Sequence, residues 1–193
     1  MTHSQTSHIN ALTKSVGLLL LLLLSAGCLN AQKKFNIESG VVNFTSNAKL
    51  EVIKASSDKI QGLVDPSNGQ FAFLVKIQSF TGFNSSLQKE HFNEKYMETE
   101  KFYDASFSGK IIEPVDFTKD GVYDVRAKGT LVVHGVRQAR IIVSKIKIDK
   151  GTLKIDSNFN ILLADHNIKI PTVVGEKIAT EISVTVEALM VQK

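Results

Sequence analysis

The last stretch of the chain, Lys177 to Val191, constrains its fold more than any other. Ile178, Thr180, Ile182, Val184, Val186, Ala188 and Met190 share one parity, whereas Lys177, Glu181, Ser183, Thr185 and Glu187 share the other. Successive side chains of a strand point to opposite faces, so this alternation predicts a strand with one dry and one wet side. At roughly 3.3 Å per residue the run reaches about 50 Å, far beyond an ordinary strand. A strand of that length, apolar on one face, must cover a wide apolar interior, as in a barrel or a large sandwich.

The same period of two recurs upstream. Phe35 to Ser46 reads as a strand broken near Gly40, Leu50 to Ala55 as a second and Ile60 to Val64 as a third. The cluster Asp65-Pro66-Ser67-Asn68-Gly69 is a turn, and Gln70 to Ile77 continues with Phe71, Phe73, Val75 and Ile77 on one face, which predicts a hairpin. Strands follow at Ala105 to Glu113, Val122 to His134, Arg137 to Ile148 and Thr152 to Ile161. Pro171 and Gly175 mark Leu162 to Glu176 as a loop or bulged edge before the final strand.

One segment breaks the pattern. Asn84 to Met97 has helical spacing, with Leu87, His91, Phe92, Tyr96 and Met97 along one side, and Ser85 with Gln88 fits a capping box. The expectation is therefore all-β: a single antiparallel barrel of about eight strands, with one amphipathic helix placed to plug or cover an end.

The N-terminus reads as a targeting segment. Lys14 precedes the leucine run Leu18–Leu24 and the small residues Ser25-Ala26-Gly27, the layout of a secretory signal. The run is shorter than the roughly 20 residues a spanning helix needs. Two processing readings stay open. Cleavage after Ala31 makes residues 1–31 a signal peptide and 32–193 the mature barrel domain, exported to the periplasm or cell envelope or secreted. Alternatively Leu-Ser-Ala-Gly-Cys, ending at Cys28, resembles a lipobox, and lipidation of Cys28 would attach the protein to a membrane.

Composition narrows the function classes. Cys28 is the only cysteine, so a domain cleaved after Ala31 has neither disulfide nor thiol chemistry. A net charge of +4, with acidic and basic residues interspersed, gives no clustered basic face for nucleic acid. There is no Gly-x-Ser-x-Gly elbow, His-Glu-x-x-His pair or glycine-rich phosphate loop, so no catalytic residues are assigned and the chain does not read as an enzyme.

Apolar inner faces on about eight strands can enclose one small ligand. Strand parity nominates Phe71, Phe73, Val75, Phe107, Ile182, Val184 and Val186 as cavity walls, and helical spacing adds Phe92 and Met97. The same residues would also serve as a plain core packed on itself. Downstream of Ala31 the histidines are His91, His134 and His166. They show no i, i+4 pairing on a helix, so no metal site is assigned. His134 before Gly135 is expected to shape a turn, and His91 to lie along the apolar margin of the helix.

Four segments, taken in order, resemble the YceI-like family of exported bacterial proteins. They are Phe35 to Gly62, His91 to Ile111, the strand–His–Gly–Val piece Leu131 to Arg140, and Phe159 through Ala188. Together they span nearly all of the chain after the leader. Two departures are Tyr103 after Phe102, where the family often has proline, and Phe35 where a tryptophan is common. The resemblance implies a lipocalin-like barrel that binds a polyisoprenoid or other long-chain lipid and needs no cofactor. Two other readings remain at this stage. One is a solid-core β domain acting by protein contact in the envelope; the other is a metal- or haem-linked redox or stress protein using His91, His134 or His166. A homodimer through an exposed edge near Pro171 is a further expectation.

Overall fold

The computed structural model describes residues 33–193. The leader, the Cys28 lipobox and the cleavage after Ala31 lie outside the described residues. The described residues form nine strands: β1 (Phe35–Asn47), β2 (Val52–Ser57), β3 (Ile60–Asp65), β4 (Gln70–Lys76), β5 (Asp104–Ile111), β6 (Gly121–Val133), β7 (Val136–Asp149), β8 (Thr152–Leu162) and β9 (Glu181–Gln192). They form a single antiparallel sheet. β2 pairs with Val42–Asn47 of β1, and β3 with Phe35 and Asn36 of the same strand. These two are therefore halves of one strand position, bent at Asp58-Lys59. β9 pairs with β1 from Phe35↔Gln192 to Thr45↔Ser183, and this closes an eight-position barrel. Closure removes most of the unpaired edge that open sheets must protect, leaving it along Val136–Val143 of β7, where the β7–β8 ladder has ended.

Local sequence explains the tight connections. His134-Gly135 and Lys150-Gly151 join paired strands as two-residue turns, with φ of 51° and 72° in the first and 48° and 76° in the second. Positive φ at both central positions matches the right-handed twist of the flanking strands. At the β3–β4 turn the Asp65 carboxylate accepts from the Ser67 amide at 3.0 Å, and Gly69 takes a φ of 72°.

Several boundaries differ from the sequence reading. β1 is not broken at Gly40; it runs through, with a register shift between Ile37 and Ser39. Leu50 lies in a loop, because β2 starts only at Val52. The helix is shorter than Asn84–Met97. An α-helix, α1 (Ser86–His91), passes into a π-helical turn over Phe92–Tyr96, and the Met97 amide donates to the Phe92 carbonyl five residues back. The final strand begins at Glu181; of the two readings for Leu162–Glu176 the loop holds, since after Leu162, the last residue of β8, the segment carries two short 3-10 turns.

The interior divides in two along the barrel axis. At the end where the β5–β6 and β7–β8 connections lie, Phe35, Phe117, Ile148, Leu153 and Met190 are buried and packed together. Phe117 comes from the β5–β6 connection and sets its ring 5.9 Å from Phe35. The opposite end carries the long β4–β5 and β8–β9 connections, with α1 between β4 and β5.

Candidate ligand cavity

Strand parity builds the site. Inward residues of β4, β5 and β9 meet inside the barrel, and the space between them is a cavity of about 580 Å³. Ordinary ligand cavities span roughly 300–1,000 Å³. An apolar cavity of only about 150 Å³ stays dry and accepts benzene. The interior is therefore hollow toward the mouth and filled toward the closed end.

All nine residues nominated from the sequence stand on the wall of this one cavity: Phe71, Phe73, Val75, Phe92, Met97, Phe107, Ile182, Val184 and Val186. The Phe71 ring lies 5.0 Å from that of Phe107 and 5.9 Å from that of Phe73. Two glycines make room for these rings. A Cβ on Gly62 would overlap the edge of Phe73, and one on Gly129 would overlap the Ser108 carbonyl first and then press on Phe107 at 3.0 Å. A side chain at Gly62 would displace the Phe73 ring, whereas one at Gly129 would first force β5 and β6 apart.

The mouth has a lid that the sequence reading placed only in part. Ser85 caps α1 by accepting from the Gln88 amide at 3.1 Å. The Gln88 side chain reaches back to the Asn84 amide at 2.9 Å, one residue short of a full capping box. The wider π turn that follows brings Phe92 inward, where it stacks on Phe44 of β1 and lies 5.0 Å from Phe83. Phe80 closes the cluster 5.4 Å from Phe44. Phe44, Phe80 and Phe83 were not anticipated. Phe44 shares the parity of buried Val42 and Ser46 and was legible; Phe80 and Phe83 sit in irregular chain with no period to read. Lys177 and Ile178, expected in the last strand, instead line the mouth.

Polar groups in the wall are mostly occupied with one another. The hydroxyls of Ser144 and Ser157 lie 2.6 Å apart, and Ser46 accepts from the Ala179 amide at 2.9 Å. Tyr96 lines the cavity, and burial pushes its phenol above its ordinary value. The lowered carboxyls Asp65, Glu113 and Asp116 lie at the closed end, held down chiefly by hydrogen bonds from Ser67, Arg126 and Thr118 respectively.

The histidines do structural work. His134 sits in the β6–β7 turn with Nδ1 3.1 Å from the His166 carbonyl and Nε2 3.0 Å from the Glu98 carboxylate. His166 is fully buried, and its Nδ1 lies 3.2 Å from the Val133 carbonyl. His91 is at the mouth, with Nε2 3.0 Å from the Lys95 ammonium. Among the described residues no group of three or more His, Cys, Asp or Glu is placed to hold a metal ion.

Comparisons with known proteins agree with this architecture. A polyisoprenoid-binding domain from Saccharophagus degradans, implicated in plant cell wall breakdown, superposes with a TM-score of 0.69 at 16% identity, covering 84% of this chain and all of that one. BcnA of Burkholderia cenocepacia gives 0.65 at 14% identity, over 78% of this chain and 95% of its own. A Campylobacter jejuni YceI protein gives 0.53 at 18% identity, over 67% and 78%. At these identities the likeness is one of fold. No match was found among curated protein sequences. The model of the YceI-like domain matches residues 30–190, and the chain therefore belongs to the YceI-like family.

Proposed function

We propose that this protein binds one long-chain, isoprenoid-like lipid inside its barrel and carries or sequesters it without chemical change. One observation carries the reading: an apolar cavity of about 580 Å³, packed shut at one end and lidded by aromatic side chains at the other. Each methylene moved from water into such a slot contributes roughly 0.8 kcal/mol, before the cost of ordering the chain. A tail therefore supplies affinity without needing polar partners along its length. The mutual pairing of Ser144 and Ser157 supports storage over catalysis, since neither hydroxyl is held by a base. The description of the Saccharophagus relative as polyisoprenoid-binding supports the ligand class.

The test is titration of the purified protein with a fluorescent polyene, competed by isoprenoid alcohols of increasing length. The reading expects saturation at one probe per barrel and competition that strengthens with length until the cavity is full. Binding that never saturates, or that ignores chain length, contradicts it.

The leader reading belongs to the same proposal. Export is supported by the Leu18–Leu24 run after Lys14, and retention at a membrane by the sequence around Cys28. The intact mass of protein from its native host separates a chain starting at Gln32 from one starting at an acylated Cys28. A mass that includes residues 1–27 contradicts both.

A further inference from the structure

Three connections meet around the cavity mouth, and each turns an aliphatic side chain outward. Leu50 is 62% exposed, Leu87 56% and Val173 89%. The backbone that presents them is tied together. The Leu50 amide donates to the Glu176 carbonyl at 2.9 Å, while Asn84 and Gln88 donate to the Glu51 carboxylate at 3.1 and 3.0 Å. Leu87 also lines the cavity, as does Val174 beside Val173, so at these two points apolar side chains lead from the interior wall to the outer rim, between the polar Glu51, Gln88, His91 and Lys177 of the mouth.

That continuity bears on how a ligand enters. A long tail drawn through water loses its burial methylene by methylene, whereas a mouth seated on an apolar phase keeps the tail dry throughout. The phase that dissolves such a ligand is the acyl region of a bilayer. Charge does not select an anionic surface here. Lys49 is paired with Glu176 at 2.8 Å, Lys177 at the mouth is matched by Glu51, and on the lid Lys89 and Lys95 are matched in number by Glu90 and Glu94. No helix among the described residues is long and apolar enough to cross a membrane.

We infer that the rim formed by Leu50, Leu87 and Val173 seats the barrel mouth-down on a lipid bilayer, where ligand passes between membrane and cavity. The inference rests on the lipid-binding reading and adds the place of exchange. Because the seat is aliphatic and nearly charge-balanced, it holds on zwitterionic lipid and tolerates salt.

The chain has no tryptophan, so single tryptophans report position without background. Leu50→Trp and Val173→Trp place the reporter on the rim. Val122→Trp places it at the start of β6, at the closed end, where Val122 is 60% exposed. The probe is a vesicle of phosphatidylcholine, part of it brominated in the acyl chains. On adding vesicles the two rim reporters shift to the blue and are quenched, equally at low and high salt, while the closed-end reporter is unchanged. Adding Leu87→Ser and Val173→Ser to the Leu50→Trp protein weakens partitioning roughly tenfold or more. Rim reporters that ignore vesicles, or all three responding alike, overturn the inference. A blue shift that grows with protein concentration in the absence of vesicles assigns the rim to a second copy and also overturns it. Silent rim reporters on protein that still binds the fluorescent polyene remove the seating alone, whereas protein that binds no polyene removes the lipid-binding reading beneath it.

Discussion

Phe92 stacks on Phe44 with ring centroids 5.4 Å apart and planes 17° from parallel, which fastens the lid to the first strand of the barrel. The stack is also the cover of the cavity. Phe92→Ala is expected to cost about 2 kcal/mol, below the usual range for a fully buried ring because Phe92 is half-buried. Its larger effect is expected on ligand release, with dissociation about tenfold faster or more. Urea unfolding and displacement of a bound fluorescent polyene measure the two effects; an unchanged dissociation rate would show that the lid does not gate the cavity.

Ser144 and Ser157 occupy the last hydrogen-bonded rung between β7 and β8, although β7 continues to Val136. Beyond that rung side chains bridge the strands: Arg140 donates to the Asn160 carbonyl at 2.7 Å, and Gln138 to the Asp165 carbonyl at 2.8 Å. Ser144→Ala leaves the Ser157 hydroxyl facing an apolar wall and is expected to cost about 1–2 kcal/mol. Ser157→Ala is expected to cost a similar amount, whereas the double change to Ala at both positions removes both polar groups and is expected to cost less than the sum of the two. A double-mutant cycle by denaturant unfolding checks this; a double variant that loses the sum of two single losses contradicts the pairing.

Gly62 and Gly129 are expected to be intolerant of even one carbon. A Cβ on Gly62 would overlap Phe73 and lie 2.7 Å from the Ala72 carbonyl oxygen, so backbone as well as ring must shift. Gly62→Ala should destabilise by about 1–3 kcal/mol and reduce probe binding, because the displaced ring enters the cavity. By contrast Gly151→Ala meets nothing within 4 Å and carries only the penalty of its φ of 76°. It should leave probe affinity unchanged, and equal loss of binding in both variants would contradict the assignment of Gly62 to the cavity wall.

Acid sensitivity follows from Glu98. The hydrogen bond from Lys101, and after it that from His134, hold its carboxyl below the ordinary value of 4.5. A carboxyl with a depressed folded pKa binds fewer protons when folded than when unfolded. Its stabilisation is therefore complete above about pH 4.5 and fades as pH falls through the lower folded value. Glu98→Gln should flatten part of the acid limb of a melting-temperature profile. Asp65, Glu113 and Asp116 are lowered in the same direction and will leave the rest of that limb in place. An acid limb identical in wild type and Glu98→Gln counts against the Glu98–His134 tie.

How much was legible depended on period. The final strand announced both its type and its inner face, and Ile182, Val184 and Val186 stand on the cavity wall. Its start was read four residues early because Ile178 and Thr180 keep the parity after the ladder has ended; there the chain bends to form the mouth. The helix was legible as an interruption, from Ser85 and the spacing of Leu87, His91 and Phe92. The π turn was not, since tertiary packing of Phe92 on Phe44 decides it and local propensity does not. Phe80 and Phe83 were invisible for the same reason. The bend that makes β2 and β3 one strand position has no sequence signal beyond Asp58-Lys59, and only the pairing of both halves with β1 exposes it.

On the proposed function, the hollow half of the barrel holds a lipid. Mass spectrometry of protein from its native host, intact under non-denaturing conditions and again after solvent extraction, tests it most directly. A lipid-filled barrel is expected to show one apolar adduct per chain, lost on extraction, with a mass that falls in an isoprenoid or similar long-chain series. Folded protein that has met no detergent, yet shows the bare polypeptide mass in both spectra, would contradict it.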